Sequence, residues 1–156
     1  MKISINSDNL NNWEGSVLVI GLLSGGYENQ LNHLKKIIKL DFLLKTLTDE
    51  NFLAKNGQIL SLQLMQENPK KIIIVGLGQP EKLTIDNIRN AASIAARASL
   101  GMRGKLGIIF PWEAFDSSTI AKAIGEAIRL SIFKDLRFQS NPEPITSPNE
   151  IELFKN

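Results

Sequence analysis

Three runs of consecutive apolar residues stand out in the pattern of apolar and polar positions. Residues 17–22 (VLVIGL), 72–75 (IIIV) and 106–110 (LGIIF) show no polar alternation. A strand of this kind is covered on both faces, which is typical of the inner strands of a sheet flanked by helices. Residues 2–6 alternate between polar and apolar instead, and they predict a short, half-buried strand at the start of the chain.

A hairpin is predicted next to the run at 72–75. Residues 58–64 have the pattern of a strand, with apolar residues at Ile59, Leu60, Leu62 and Leu64. The polar loop at 67–70 (ENPK) then leads directly into the apolar run. Because two strands joined by a short polar loop form a hairpin, these two strands are expected to pair.

Helical spacing of apolar residues marks a first helical segment between residues 29 and 47. The pattern predicts a helix with lysines on its outer face and a break near Leu40 and Asp41. The apolar positions are Leu31, Leu34, Ile37 and Ile38, and the lysines are Lys35, Lys36 and Lys39.

Two further helices are predicted in the second half of the chain. Thr84 is a natural N-cap for a helix that ends before Gly101. Several alanines give this helix an unusually small face, so we expect it to pack closely on the sheet. These small residues are Ala91, Ala92, Ala95, Ala96 and Ala98. Ser117 or Ser118 is expected to cap a last helix over residues 119–133.

This order of strands and helices indicates an α/β fold of three layers, with a mixed sheet flanked by helices. The predicted domain covers residues 1–138. Residues 139–156 are predicted to form a Pro-rich linker and a short terminal strand at 151–154. The prolines of this linker are Pro142, Pro144 and Pro148.

Composition narrows the classes of function. The 156 residues are 43% hydrophobic and 22% charged, as in soluble globular proteins of one domain. With 18 basic and 16 acidic residues the net charge is +2, which predicts neither a nucleic-acid partner nor a membrane surface. The chain has no cysteine, so disulfides, thiolate metal sites and thiol nucleophiles are excluded. Because the first residues lack the apolar core of a signal peptide, we expect a cytoplasmic protein.

Two glycine-rich segments follow apolar strands and are the candidate ligand loops. Gly76-Leu77-Gly78 could offer backbone N–H groups to a phosphate at the start of the next helix, and Ser24-Gly25-Gly26 is a second turn of this kind. Neither the GxGxxG nor the GK[ST] pattern is present. A tight strand-to-helix corner for the first segment and a surface loop for the second are the favoured alternatives.

The sequence contains no recognisable catalytic or metal-binding constellation. His33 is the only histidine, and we expect it at the surface or at the boundary of the core, since no acidic and nucleophilic partners are signalled near it. The acidic residues are scattered, whereas a metal ion needs a cluster of ligands. Trp13, Trp112 and Phe115 predict either an exposed aromatic patch or aromatic packing in the core or at its rim. We predict no catalytic, cofactor-binding or metal-binding residue in this chain.

Several segments, taken in order, resemble the N-terminal domain of the leucyl aminopeptidases, the cytosol aminopeptidase family. They are residues 17–21 (VLVIG), 71–78 (KIIIVGLG), 81–84 (EKLT), 88–98 (IRNAASIAARA) and 123–130 (AIGEAIRL). The resemblance runs over most of the chain and implies a macro-domain-like fold.

The resemblance also implies where the chemistry lies. In that family a separate C-terminal domain holds two divalent metal ions, zinc or manganese, which activate a water for attack on the peptide carbonyl. The family's catalytic signature, Asn-Thr-Asp-Ala-Glu-Gly-Arg, occurs nowhere in this sequence. We therefore expect residues 139–156 to lead to an absent catalytic domain, and the chain to be inactive alone. The expected partners are that domain and further copies in a homo-hexamer.

Two hypotheses follow for the function. The first is a non-catalytic aminopeptidase domain that acts in hexamer assembly and in access to the active site. The second is a free-standing macro-type module that binds ADP-ribose or a nucleotide at Gly76-Leu77-Gly78 and Ser24-Gly25-Gly26. Neither turn carries nearby the acidic or asparagine residue that an adenine and ribose pocket needs, so the first hypothesis is favoured.

Overall fold

The computed structural model describes residues 2–6, 10–111, 113, 115–137 and 147–154, with the backbone alone for residues 133–137. The strands are β1 (Lys2–Asn6), β2 (Val17–Leu23), β3 (Ile59–Gln63), β4 (Lys71–Gly78), β5 (Lys105–Ile109) and β6 (Glu150–Phe154). The helices are α1 (Tyr27–Leu31), α2 (Leu40–Asp49), α3 (Ile85–Ala98) and α4 (Ser117–Arg137). Short 3₁₀ turns lie at Leu10–Asn12, Asn32–Leu34 and Pro80–Lys82.

The six strands form one mixed sheet in the order β1-β6-β5-β2-β4-β3. All neighbours are parallel except β3, which pairs antiparallel with β4. The predicted hairpin is therefore confirmed, with Ser61 opposite Ile73. The expected α/β fold with a mixed sheet is confirmed as well.

Helices cover the sheet on both faces and make three layers. Alternate residues of each inner strand point into two separate hydrophobic clusters, as the two-residue repeat of a strand requires. In β2, Val17 and Val19 belong to the cluster under α3 and α4, while Leu18 and Ile20 belong to the cluster under α1 and α2. All four are fully buried, so the expectation that an uninterrupted apolar strand is covered on both faces is confirmed.

The N-terminus of α3 carries the predicted cap. The Thr84 hydroxyl accepts a hydrogen bond from the Asn87 backbone N–H, and the Asn87 side-chain oxygen Oδ1 accepts one from the Thr84 backbone N–H. This reciprocal pair satisfies two backbone donors that the first helical turn leaves open.

For α4 the predicted cap is wrong by one or two residues. Asp116, not Ser117 or Ser118, accepts the hydrogen bond from the Thr119 N–H.

The first helical segment is not the helix with one break near Leu40 that the sequence predicted. Helix α1 ends at Leu31, a 3₁₀ turn follows at Asn32–Leu34, and α2 begins only at Leu40. Leu31, Leu34 and Ile38 nevertheless all lie in the same core cluster. A 3₁₀ turn also brings residues three apart to one side, so the spacing of apolar residues did not distinguish the two structures.

Strand β4 runs through Gly76-Leu77-Gly78, so this segment is not the predicted turn. A Cβ on Gly76 would collide with the Lys55 carbonyl oxygen and lie 2.7 Å from the Ala54 carbonyl carbon. Gly76 therefore makes room for the backbone at residues 54–55, and it is not part of the strand-to-helix corner that the sequence favoured. The turn towards α3 comes later, at the 3₁₀ turn Pro80–Lys82.

The last strand lies inside the sheet. Strand β6 pairs with β1 on one side and with β5 on the other, and its residues Ile151, Leu153 and Phe154 are buried. The sheet thus extends to Phe154, beyond the boundary at residue 138 that the sequence suggested. Of the predicted linker, residues 139–146 lie outside the described residues.

Candidate functional site

The topology opens a crevice between β2 and β5. The chain leaves β2 towards α1 and α2 on one face, whereas it leaves β5 towards α4 on the other face. Connections that diverge from neighbouring parallel strands leave a gap at the strands' carboxyl ends, which is where open α/β sheets place their ligands. In this protein that gap is a cavity of about 280 Å³.

The cavity has apolar walls and a few polar groups. The described residues that line it are Ile20, Gly21, Leu23, Asn29, Gln30, His33, Ile109, Phe110, Pro111 and Glu113. They come from the ends of β2 and β5, from α1, from the 3₁₀ turn after it, and from the loop after β5. Its volume is near the lower end of the ~300–1,000 Å³ typical of small-molecule sites. We refer to it as the β2–β5 cavity.

Gln30 fixes one side of the β2–β5 cavity. Its side-chain oxygen accepts a hydrogen bond from the Leu23 N–H at 2.9 Å, and its amide nitrogen donates to the Leu23 carbonyl oxygen at 2.8 Å. The same nitrogen lies 3.3 Å from the Gly26 carbonyl oxygen. The Gln30 side chain thus makes the two backbone hydrogen bonds at the end of β2 that a neighbouring strand would otherwise make, and it holds α1 against that end.

His33 is one of the residues that line the cavity. The residue is half-buried, which agrees with the predicted boundary position, and burial lowers the pKa of the imidazole. The ring is therefore neutral at neutral pH. Its buried Nε2 atom has no hydrogen-bond partner among the described residues. A buried polar atom of this kind needs an explanation, such as a water or ligand that completes the pair.

The charge of the cavity is negative. Glu113 is exposed at the rim and is the one charged group at neutral pH among the described lining residues, which include neither lysine nor arginine.

The two predicted glycine loops contribute little to the lining of the cavity. The Ser24 N–H donates to the Gly78 carbonyl oxygen at 2.9 Å, so the two segments lie side by side, but none of their six residues lines the cavity.

The remaining predicted candidates lie elsewhere. The Trp13 ring packs edge-on against Phe154 at 5.7 Å, under α1 and α2, whereas Phe115 packs on the opposite cluster. These two aromatic side chains therefore do not share a patch, and Trp112 lies outside the described residues. Within the described part of the chain, no three histidine, aspartate or glutamate side chains are close enough to hold a metal ion. The described residues thus do not fit the metal pair that the resemblance implies.

The fold places the chain among three-layer α/β domains, a class that includes macrodomains. The macrodomain of Mycobacterium tuberculosis DarG superimposes with a TM-score of 0.58 at 10% identity, over 99% of this chain and 98% of that chain. A tomato leucine aminopeptidase mutant superimposes with a TM-score of 0.74 at 19% identity, over 99% of this chain and 32% of that chain. At these identities the likeness concerns the fold alone.

Sequence comparison is more specific. Residues 19–142 match the model of the cytosol aminopeptidase family, N-terminal domain. This chain belongs to that family, as its N-terminal domain. It is 48% identical over 154 residues to the probable cytosol aminopeptidase of Prochlorococcus marinus strain MIT 9211, and 42% identical to that of strain MIT 9313. Each match covers 99% of this chain and 31% of the relative, so the chain spans about a third of the relatives' length.

Within the described residues, no helix combines the length and the apolar character that a membrane crossing requires.

Proposed function

We propose that this chain is the non-catalytic N-terminal domain of a cytoplasmic aminopeptidase that removes N-terminal amino acids from peptides. The observation that carries the proposal is the family match together with the 31% share of the relatives that the chain spans. Two divalent metal ions, zinc or manganese, would supply the activated water, and they would be bound outside the described residues. This domain would contribute structure and no catalytic group.

The second part of the proposal concerns assembly: the domain takes part in a homo-hexamer and shapes access to the active site. Among the described residues, β1 and β3 each pair on one side only. Each of these edges carries a half-exposed isoleucine, Ile5 on β1 and Ile59 on β3. Edge strands with open backbone groups and apolar side chains are ready contact surfaces for another domain or chain.

The catalytic part is tested with the purified chain and with a chimera. The chain alone, incubated with leucine p-nitroanilide and manganese, should give no turnover above the buffer. A chimera in which this chain replaces the matched third of the strain MIT 9211 relative should hydrolyse the substrate like the intact relative. Turnover by the chain alone would contradict the proposal.

The assembly part needs a separate measurement. The mass of the chimera and of the intact relative should be that of a hexamer by light scattering, while a version without the N-terminal domain should form smaller species. A domain-deleted relative that still forms an active hexamer would refute the assembly role and leave the family assignment untouched. Ile59→Lys in the chimera tests whether the β3 edge contributes, because a lysine within a contact at this edge should yield smaller species in place of the hexamer.

The alternative of an ADP-ribose or nucleotide module has the shared macrodomain fold in its favour. Against it, the described lining of the β2–β5 cavity offers no cation for a phosphate. Calorimetry of the chain with ADP-ribose at millimolar concentration distinguishes the two hypotheses, and we expect no heat of binding.

A further inference from the structure

Asn56-Gly57 is the one Asn-Gly pair in the sequence. This dipeptide is the most prone to deamidation, because glycine has no side chain to hinder its own backbone nitrogen. That nitrogen attacks the side-chain carbonyl carbon of the asparagine and closes a five-membered succinimide. The side-chain amide nitrogen leaves as ammonia and carries away the proton of the attacking N–H. Water then opens the ring to aspartate or isoaspartate, so one amide becomes one carboxylate without any oxidant or reductant.

The pair lies in a tight turn that leads into β3. The Gln58 N–H donates to the Lys55 carbonyl oxygen at 2.9 Å, and Gly57 has a φ of +84°. A positive φ at the third of four residues is typical of a type II turn, and glycine adopts it most readily. Asn56 is exposed, so water and base have access to it. Sequence and exposure alone therefore predict a fast reaction.

The backbone nitrogen that would attack is occupied in the folded chain. The Gly57 N–H donates to the Gly76 carbonyl oxygen on β4 at 3.0 Å. The nitrogen must lose this proton to attack, and the hydrogen bond retains the proton and directs the N–H towards β4. Two further backbone hydrogen bonds hold the same segment, from the Gly76 N–H to the Gln58 carbonyl oxygen at 2.7 Å and from the Gly78 N–H to the Ala54 carbonyl oxygen at 2.9 Å. The attack thus requires this segment to separate from β4.

The Gln58 side chain opposes the same separation. Its oxygen accepts hydrogen bonds from the Leu53 N–H at 3.0 Å and from the Lys55 N–H at 3.2 Å. Its amide nitrogen donates to the Asn51 carbonyl oxygen at 3.4 Å. These three bonds order the loop before the turn, so they reduce the freedom of the segment that contains Asn56.

We propose that Asn56 is a deamidation site that the fold holds closed, and that it reacts only when the start of β3 separates locally from β4. The rate is then the fraction of open molecules multiplied by the rate in the unfolded chain, because opening and closing are fast compared with deamidation. Isoaspartate adds a backbone carbon between residues 56 and 57, which moves the Gly57 N–H out of register with Gly76. The inference does not depend on the proposed aminopeptidase function.

The test compares deamidation in the folded chain and in guanidinium chloride, at the same mildly alkaline pH. Peptide mapping by mass spectrometry follows the loss of the Asn56 amide, and isoaspartyl methyltransferase labels the isoaspartate. We expect the folded chain to react at least about tenfold more slowly, because an ordered segment opens rarely. Asn56→Gln is the control for the site: glutamine would have to close a six-membered ring, and the signal should disappear.

Two variants loosen the segment without changing the Asn-Gly pair. Gly76→Ala adds a Cβ that would collide with the Lys55 carbonyl oxygen, and Gln58→Ala removes the three side-chain hydrogen bonds. Each should accelerate deamidation of the folded chain about fivefold or more, the factor that corresponds to a loss of about 1 kcal/mol. Neither should alter the rate in guanidinium chloride. Gly26→Ala, where an added Cβ meets no described atom within 4 Å, should leave both rates unchanged.

The contrary outcomes are specific. Equal or faster deamidation in the folded chain would show that the turn presents Asn56 to the Gly57 nitrogen, and it would overturn the proposal. An unchanged rate in the folded Gln58→Ala variant would overturn it as well, because the reaction would then proceed without opening of the segment. The hydrogen bonds of the Gln58 side chain are exposed, so this variant is expected to fold even if Gly76→Ala does not.

Discussion

Gly76 illustrates how a single missing methyl group fixes the path of two chain segments. Its N–H donates to the Gln58 carbonyl oxygen at 2.7 Å, and its carbonyl oxygen accepts from the Gly57 N–H at 3.0 Å. This close backbone approach extends the β3–β4 pairing towards residues 54–58. A side chain at position 76 would point directly into that segment.

We therefore predict that Gly76→Ala lowers the free energy of unfolding by about 1–3 kcal/mol, or more, because the added Cβ overpacks against backbone that has little room to shift. Urea denaturation measures the change. Gly26→Ala is the matched control, since an added Cβ there meets no described atom within 4 Å and its φ is −65°; its change should stay within about 0.5 kcal/mol. Equal effects at the two positions would contradict this account.

The residues that line the β2–β5 cavity differ in how far the sequence alone could identify them. His33 was expected at the surface or at the boundary of the core, and it is half-buried. Gln30 and Glu113 were missed, because an isolated glutamine or glutamate has no sequence feature that distinguishes a lining residue from a solvated one. The position of Glu113 just after a buried strand was the available signal, since such loops lie at the carboxyl edge of a sheet.

At the scale of elements, one buried carboxylate, that of Glu152, joins three neighbouring strands through an ion pair with the half-exposed Lys105 and a hydrogen bond from Asn6. Glu152 on β6 is only 7% exposed at its side chain and lies 3.2 Å from the Lys105 ammonium on β5. It also accepts a hydrogen bond of 2.7 Å from the Asn6 amide on β1. Burial by itself raises the pKa of Glu152, but the hydrogen bonds from Asn6 and Lys105 outweigh it and hold the pKa below its ordinary value.

From this geometry we predict that Glu152→Gln destabilises the fold by about 1–3 kcal/mol at pH 7, the cost of losing hydrogen bonds to a charged group. A carboxyl whose pKa is lowered on folding stabilises the protein above its unfolded pKa, and this contribution is lost as the pH falls through the folded pKa. The difference between wild type and variant should therefore shrink below about pH 4, near the ordinary pKa of glutamate.

The measurement is urea denaturation of both proteins between pH 7 and pH 3. Glu67→Gln serves as the control, because the Glu67–Lys70 pair is exposed and 3.8 Å apart, and its loss should cost less than about 0.5 kcal/mol. A difference for Glu152→Gln that stays constant over the whole pH range would show that the carboxylate charge is not what stabilises the strands.

At the scale of the whole molecule, the last strand completes the sheet between two strands that are distant in sequence. Strand β6 lies between the first strand and β5, and the Asn149 N–H donates to the Gly104 carbonyl oxygen at 3.1 Å. The short terminal strand that the sequence predicted at 151–154, outside the domain of residues 1–138, is therefore an inner strand of the sheet.

We predict that a chain ending at residue 146 loses its cooperative unfolding transition, while a chain ending at Phe154 keeps it. Without β6, the burial of Ile151, Leu153 and Phe154 is lost, at about 1.5–3 kcal/mol each, together with both strand pairings. That total is comparable with the ~5–15 kcal/mol that stabilises an ordinary domain. Thermal unfolding followed by circular dichroism measures it, and a folded 1–146 chain would contradict the assignment of β6 to the domain.

The sequence by itself determined the family, the strands and the two later helices, but not the course of the first helical segment. Uninterrupted apolar runs located β2, β4 and β5, and Thr84 located the start of α3, because burial on both faces and helix capping leave local patterns. Tertiary structure alone decided which strands are neighbours, that β6 is an inner strand, and that Gly76 faces residues 54–55. It also decided that β2 and β5 enclose a cavity between connections on opposite faces. These features depend on contacts between residues far apart in the chain, and the spacing of apolar residues does not encode them.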